Sequence, residues 1–121
     1  MKKILVAEDD KFLASAYKVK LEKSGFEVRM AGDGEEAVEI LKGFEPDVIL
    51  LDLIMPKMDG FTALEQIRSN AKFARTPIMV ASNLGQKEDI ERAQKLGATG
   101  YIIKSDLSIE DLIKKINQVT N

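Results

Sequence analysis

The chain has 121 residues, a formal net charge of −2, 45% apolar residues and 31% charged residues, and we expect residues 1–121 to form one globular domain. It lacks the basic stripe of a direct nucleic-acid ligand, the roughly 20-residue apolar run of a membrane span and the apolar core of a signal peptide. It also has no cysteine and no histidine, which excludes disulfides, thiolate zinc sites and histidine-based catalysis. We expect a cytoplasmic protein that binds neither nucleic acid nor a membrane directly.

A first strand is predicted at residues 4–7, and a segment of helical period follows it. Apolar side chains recur at helical spacing from Phe12 through Tyr17 to Leu21. Gly25 can end this segment in the left-handed conformation. We therefore expect a first amphipathic helix whose apolar side includes Phe12.

The next elements are a strand, a helix and another strand. Residues 26–30 alternate apolar and charged side chains, which is typical of a strand with one polar face. Asp33 is an expected helix N-cap, with Glu36 completing a capping box. Residues 48–51 are continuously apolar and form the third predicted strand.

The second half of the chain continues the alternation. After a loop at residues 55–60, we expect a third helix, a fourth strand, a polar helix, a fifth strand and a final amphipathic helix, at about residues 61–67, 78–81, 86–96, 100–103 and 109–119. Strict alternation of strands and helices implies a parallel sheet with helices on both faces.

The polarity of each strand predicts its place in the sheet. The first, third and fourth strands are uniformly apolar and therefore central, whereas the second alternates and belongs at an edge. The predicted fold is α/β: a single, doubly wound, five-stranded parallel sheet of order 2-1-3-4-5, which is the known flavodoxin-like (βα)5 order. The direction of winding switches between strands one and three.

Charged residues end several of these strands at the same edge. Glu8 and Asp9 follow the first strand, Asp52 follows the third, and Lys104 ends the fifth. We expect Asp10 to be the N-cap of the first helix. Open α/β sheets place ligand sites at the carboxyl ends of their strands. Because packed carboxylates repel one another, this pattern favours a site that a divalent cation neutralises.

These residues resemble the receiver domain of two-component response regulators, and the resemblance covers the whole chain. It rests on the acids at residues 8–10, on the D-x-x-M-P-x-M-D-G run of residues 52–60, and on Ser82 and Lys104, which are separated as is usual in that family. Asp59 and Gly60 are expected to turn the loop into the third helix.

The resemblance implies a signalling switch with little turnover of its own. Asp52 would be the nucleophile that accepts a phosphoryl group from a partner histidine kinase or phosphotransfer protein. Such a domain catalyses only its own phosphorylation and slow dephosphorylation, and so is not an enzyme in the ordinary sense. An unidentified output protein or output domain would then receive the signal.

The resemblance also implies Mg²⁺ as the cofactor. Asp9, Asp52 and the backbone carbonyl of Ile54 would ligate the ion directly, and Glu8 would act mostly through water. Lys104 would pair with one phosphoryl oxygen, and the Ser82 hydroxyl would bind another.

Tyr101 occupies the position of the family's aromatic switch. Phosphorylation would draw Ser82 toward the phosphoryl group and let the Tyr101 ring turn inward, biasing a two-state equilibrium. The fourth helix, fifth strand and last helix would then present an altered partner surface, with a phosphorylation-dependent dimer as one outcome. The alternative is that Tyr101 is an ordinary half-buried tyrosine that packs on an edge strand and has no switching role.

Five residues depart from the family pattern, and one of them, Ser82 in place of the commoner threonine, should still donate its hydrogen bond. Ser105 replaces the usual proline after Lys104, so we predict a trans bond there. Asn83 is larger than the usual residue and could narrow access to Asp52. Ile54 and Leu84 are aliphatic where polar side chains help to orient the hydrolytic water, which predicts slow dephosphorylation.

Three other functions compete with the switch. A phosphatase of the haloacid-dehalogenase type would carry a D-x-D motif directly after the first strand, but this chain has Glu8-Asp9-Asp10 there. A flavin module would need a phosphate-binding loop where these acids lie. A degenerate receiver that acts only as a scaffold is the third alternative.

Overall fold

The computed structural model describes residues 1–120 and contains one parallel sheet of order β2-β1-β3-β4-β5, which confirms the predicted fold and strand order. The strands are β1 (Lys2–Ala7), β2 (Phe26–Ala31), β3 (Val48–Leu51), β4 (Ile78–Ser82) and β5 (Gly100–Ile103). The α-helices are α1 (Lys11–Lys23), α2 (Gly34–Ile40), α3 (Gly60–Ser69), α4 (Lys87–Lys95) and α5 (Ile109–Thr120). The sequence pattern did not predict two short 3₁₀ helices, at Ala71–Phe73 and Lys104–Asp106. Within residues 1–120, the helices are all too short or too polar to cross a bilayer.

Two hydrophobic layers cover the sheet, one on each face. In β3, Ile49 and Leu51 pack with α2, α3 and α4, whereas Val48 and Leu50 pack with α1 and α5. Successive strand residues point to opposite faces. A strand between two helical layers therefore buries every side chain, as all of β3 does. This is why uniform apolarity correctly predicted the central strands.

The expectation that Phe12 belongs to the apolar side of α1 is wrong. Its side chain is 91% exposed, whereas Tyr17 and Leu21 are buried. Successive helical residues are about 100° apart, so Phe12 lies well away from the direction shared by Tyr17 and Leu21. The helix turns its Tyr17 side to the sheet and leaves Phe12 in solvent.

The cap of α2 differs in one bond from the predicted capping box. Asp33 Oδ1 accepts from the Glu36 amide at 2.8 Å, as expected of the N-cap. Glu36 Oε1, however, accepts from the Gly32 amide at 2.9 Å and not from that of Asp33. The glutamate therefore reaches the amide one residue further back, past an N-cap residue whose backbone is extended.

Candidate functional site

The acidic ends of β1 and β3 meet because the strands are neighbours in parallel register. Ala7 pairs with Leu51, and the Asp52 amide donates to the Ala7 carbonyl at 3.0 Å. Glu8 and Asp52 therefore leave adjacent strands at the same level. Carboxylate oxygens of Glu8, Asp9 and Asp52 lie within 4.8 Å of one another. The structure thus brings together the three predicted acids.

Lys104 reaches this cluster from the end of β5. Its Nζ lies 2.5 Å from Glu8 Oε1 and 3.0 Å from Asp52 Oδ2. The side chains of Lys104, Glu8 and Asp52 are only 11%, 2% and 8% exposed. A lysine buried this deeply between two carboxylates belongs to a preorganised polar site and is not a solvated surface charge.

The charges in this cluster do not balance. Burial raises the pKa of the Glu8 carboxyl, and the hydrogen bond from Lys104 only partly opposes this rise. Burial by itself would lower the pKa of Lys104, but its bonds and charge interactions with Glu8 and Asp52 raise it overall. One ammonium faces three carboxylates, so negative charge remains uncompensated.

The donor set suits a hard divalent cation. Mg²⁺ is usually held by one or two carboxylates together with water and phosphate oxygens. Asp9 is exposed at the rim, and Asp52 Oδ1 accepts a long bond of 3.4 Å from the Ile54 amide, which leaves capacity for a metal. The acidic cluster can therefore hold such an ion. Ligation by the Ile54 carbonyl stays a prediction.

Ser82 lies at the same edge of the sheet, at the end of β4. It is fully buried, and it pairs in register with Ile103, the residue before Lys104. Its hydroxyl oxygen accepts from the Leu84 amide at 3.2 Å. The sheet thus places Ser82 and Lys104 at the ends of adjacent strands, and the predicted contact of Ser82 with a phosphoryl oxygen remains a prediction.

The loop after β3 folds back behind Asp52. Asp59 caps α3 by accepting from the Thr62 amide at 3.0 Å, which confirms its structural role. Gly60 donates to the Leu53 carbonyl at 2.9 Å. A Cβ on Gly60 would lie 2.1 Å from the Asp52 carbonyl oxygen, so only glycine permits this close approach.

The first acidic run also has a structural member. Asp10 Oδ1 accepts from the amides of Phe12 and Leu13 at 2.9 and 3.1 Å, which confirms Asp10 as the N-cap of α1. Its side chain is therefore committed to the helix and not to the cation cluster.

Tyr101 is half-buried and packs against the core on the α3 side of the sheet. Its hydroxyl donates to the Leu84 carbonyl at 2.5 Å. Burial raises the pKa of the Tyr101 phenol, and the Ser82 hydroxyl opposes this rise. This hydrogen bond holds the Tyr101 side chain to the loop after β4, at a residue two positions beyond Ser82.

Tyr17 is a polar neighbour of the site that the helical pattern classed only as core. Its side chain is 3% exposed, and burial raises the pKa of its phenol. The charges of Lys104, Glu8 and Asp52 also act on this pKa, so the phenol lies close to the cluster. The sequence held one sign of this role: residue 17 is a tyrosine at a helix position where an aliphatic residue would be enough to fill the core.

The Lys104–Ser105 peptide bond is trans, as are the other peptide bonds of residues 1–120, which confirms the prediction. Ser105 lies in the short 3₁₀ helix Lys104–Asp106. With a trans bond after it, Lys104 contacts the carboxylates of both Glu8 and Asp52.

Comparison with known proteins agrees with this geometry. The family model of the response regulator receiver domain matches residues 4–117. The Francisella response regulator 1452 receiver domain is 34% identical, with a TM-score of 0.89 and coverage of 99% of this chain and 97% of that one. The chemotaxis response regulator CheY4 of Vibrio cholerae is 30% identical, with a TM-score of 0.92 and 98% coverage of both chains.

Longer regulators also match. The transcriptional regulatory protein PdtaR of Mycobacterium tuberculosis is 37% identical over 116 residues, which are 95% of this chain and 55% of PdtaR. The DNA-binding dual master transcriptional regulator RpaA of Synechocystis is 31% identical over 116 residues, or 96% of this chain and 48% of RpaA. The chain thus spans about half the length of these curated relatives.

The match over nearly the whole chain, the strand order and the cluster of Glu8, Asp9, Asp52 and Lys104 agree with one another. They leave no support for the flavin module or for the haloacid-dehalogenase type. The chain belongs to the family of response regulator receiver domains.

Proposed function

We propose that this chain is a phosphorylation-dependent signalling switch whose phosphoryl acceptor is Asp52. One observation carries the proposal: the buried Asp52 carboxylate lies 3.0 Å from the Lys104 ammonium, beside two further acids that can share a divalent cation. A carboxylate in this setting can attack an anionic donor, because Lys104 supplies positive charge and a cation held by the neighbouring acids would supply more.

The proposed transfer forms one bond and breaks one. An Asp52 carboxylate oxygen attacks the phosphorus atom of a phosphohistidine on a partner histidine kinase or phosphotransfer protein. The new O–P bond forms as the P–N bond breaks, and the imidazole nitrogen keeps the electron pair and takes up a proton. The product is an acyl phosphate on Asp52. Lys104 stabilises charge on the transferring oxygens.

Asp9 and Asp52 are the residues proposed to hold Mg²⁺, with the Ile54 carbonyl as a further ligand. The ion, when bound, would neutralise the acidic cluster and the incoming phosphoryl oxygens. Ser82 would donate to a second phosphoryl oxygen. The protein turns over no separate substrate in this proposal and catalyses only its own phosphorylation and slow dephosphorylation.

The proposed output is a change in the surface formed by α4, β5 and α5. Tyr101 connects this surface to the site through its bond to Leu84, two residues after Ser82. An output protein or an output domain in a cytoplasmic pathway would read the change, with dimerisation as one form of it. That the chain itself does not contact nucleic acid stays a prediction from its net charge of −2.

Intact-mass spectrometry tests the proposal on the wild-type chain. Incubation with acetyl phosphate and Mg²⁺ should add one phosphoryl group, whereas acetyl phosphate with a chelator should add none. Peptide mapping after reduction of the acyl phosphate with borohydride should place it on Asp52. No adduct at saturating Mg²⁺ would favour the scaffold alternative.

An Ile54→Asn variant should lose its phosphoryl group about tenfold faster than wild type, which is about 1.4 kcal/mol of barrier. Ile54 is 60% exposed beside Asp52, and an amide there can orient a water for attack on phosphorus. The decay of the phosphorylated mass after removal of the donor measures the rate. Ile54→Val, which remains aliphatic, is the matched control, and equal lifetimes in all three proteins would refute the shielding hypothesis.

A further inference from the structure

We propose that two arginines fasten α4 to α3 and so decide which part of the surface formed by α4, β5 and α5 can move. Arg68, on α3, binds the turn that follows α4, and Arg92, on α4, covers a ring at the start of α3. We call this pair of contacts the arginine clasp. In the switch proposed above, on which this inference rests, the clasp confines the movement to the first turn of α4 and the loop before it.

Arg68 joins several segments at the edge of the sheet opposite the acidic cluster. Its Nε donates to the Gly97 carbonyl at 2.9 Å, and its Nη1 donates to the Phe73 carbonyl at 2.6 Å. Its Nη2 lies 3.4 Å from Thr99 Oγ1, which also accepts from the Ile78 amide at 3.0 Å. One side chain therefore ties the end of α3 to the turn after α4 and, through Thr99, to the start of β4.

Arg92 makes a contact in the opposite direction, from α4 to the start of α3. Its guanidinium carbon lies 4.1 Å from the centroid of the Phe61 ring, within the range of cation–π attraction, and Phe61 is only 7% exposed. A backbone amide in the first turn of α3 lowers the pKa of the Asp59 carboxyl, and the charge of Arg92 adds to this lowering. Arg92 thus lies beside the turn whose first residue, Gly60, closely approaches the Asp52 backbone.

The two ends of α4 are held unequally. Of the residues of α4, all of which the structure describes, Ala93 alone is buried, and Leu96 just after the helix packs against the core. At the other end, the Gln86 side chain makes no capping bond within residues 1–120, whereas aspartates cap α1, α2 and α3. Because segments with few buried contacts open at the lowest free energy, the first turn of α4 is its most easily displaced part.

This weakly held turn is also the one that adjoins the site. The Leu84 amide donates to the Ser82 hydroxyl at 3.2 Å, and the Leu84 carbonyl accepts from the Tyr101 hydroxyl. A change at Ser82 therefore acts on the loop at residues 83–86, directly before α4. Since the clasp joins the rest of α4 to α3, the partner surface changes at the start of α4 and not along its whole length.

Amide hydrogen exchange of the metal-free protein tests the clasp without phosphorylation. The amides of residues 89–90 and 96–98 all donate to backbone carbonyls, so their exchange reports local opening at the two ends of α4. In wild type, residues 96–98 should exchange about tenfold more slowly than residues 89–90. Relative to β3, whose amides report global unfolding, exchange at residues 96–98 should become about tenfold faster in Arg68→Met and about threefold faster in Arg92→Met. NMR spectroscopy measures these rates residue by residue.

Lys95→Met is the matched control, because it removes the same charge from an exposed residue of α4. Its exchange rates should equal those of wild type within about twofold. If Arg68→Met does not fold, Arg68→Lys, which keeps the charge but not the fork of donors, should also speed exchange at residues 96–98. Arg92 is exposed, so Arg92→Met is expected to fold. Wild-type exchange at residues 96–98 in both arginine variants would overturn the inference.

Beryllofluoride with Mg²⁺, an analogue of a phosphoryl group on a carboxylate, tests where the movement is confined. In wild type, the amide chemical shifts of residues 93–97 should change less than about half as much as those of residues 84–90. In Arg92→Met, the change at residues 93–97 should about double. Equal changes along all of α4 in wild type, or no increase in the variant, would contradict the proposed confinement. Absence of phosphoryl uptake from acetyl phosphate in wild type would refute the proposed function, whereas exchange in the metal-free protein would still decide whether the clasp holds α4.

Discussion

An Asp52→Asn variant is expected to take up no phosphoryl group from acetyl phosphate at any Mg²⁺ concentration. The amide has nearly the shape of the carboxylate, so it can occupy the same buried place, but it lacks the anionic oxygen that attacks phosphorus. Its loss also removes one of the two carboxylates that hold Lys104. Intact-mass spectrometry with and without Mg²⁺ measures the adduct directly.

Asp111→Asn is the control for this experiment, because Asp111 is exposed at the first turn of α5, and the same charge is removed there. It should retain one Mg²⁺-dependent adduct. A phosphoryl adduct on Asp52→Asn of the same yield as on wild type would place the acceptor at another residue. Thermal denaturation of both variants shows whether a missing adduct reflects chemistry or loss of the fold.

A Lys104→Met variant should take up phosphoryl groups about a hundredfold more slowly than wild type, because it loses a preorganised donor to the transferring oxygens. In the presence of a chelator its free energy of unfolding at pH 7 should fall by about 3 kcal/mol, since buried Glu8 and Asp52 are left without their counter-ion. Mg²⁺ should bind the variant more tightly and restore much of the lost stability. Urea denaturation with and without Mg²⁺ tests both effects.

Lys42→Met supplies the comparison, because the Lys42 side chain is 69% exposed and pairs with another exposed side chain, that of Glu39. Exposed pairs contribute little to stability, so this variant should resemble wild type in unfolding and in Mg²⁺ affinity. Equal Mg²⁺ affinity in Lys104→Met and wild type would contradict the view that the lysine and the cation compete for the same carboxylates.

The acidic edge of the sheet was predictable because it depends on local patterns. Uniform apolarity marked β1, β3 and β4 as central strands, and parallel strands necessarily end at a common edge. Glu8, Asp52 and Lys104 follow β1, β3 and β5, and therefore had to lie along that edge. Caps at Asp10 and Asp59 were equally predictable, since each bond spans only two or three residues.

Other features depend on contacts that periodicity does not contain. Phe12 and Tyr17 both fit a helical pattern, but the angle at which α1 meets the sheet leaves Phe12 in solvent and buries Tyr17 beside the cluster. Helical spacing limits which residues can share a face, and only packing decides which face is covered.

By itself, the sequence determined the strand order, the edge that carries the site and the identity of its charged residues, because these follow from alternation and from the residue at each strand end. Only the tertiary structure decided how the charges are paired. Lys104 is 96 residues from Glu8 and 52 from Asp52, and its bonds to both depend on side-chain length, burial and the position of β5. A residue pattern specifies which groups meet at an edge, whereas distances of a few ångströms decide which of them bind one another.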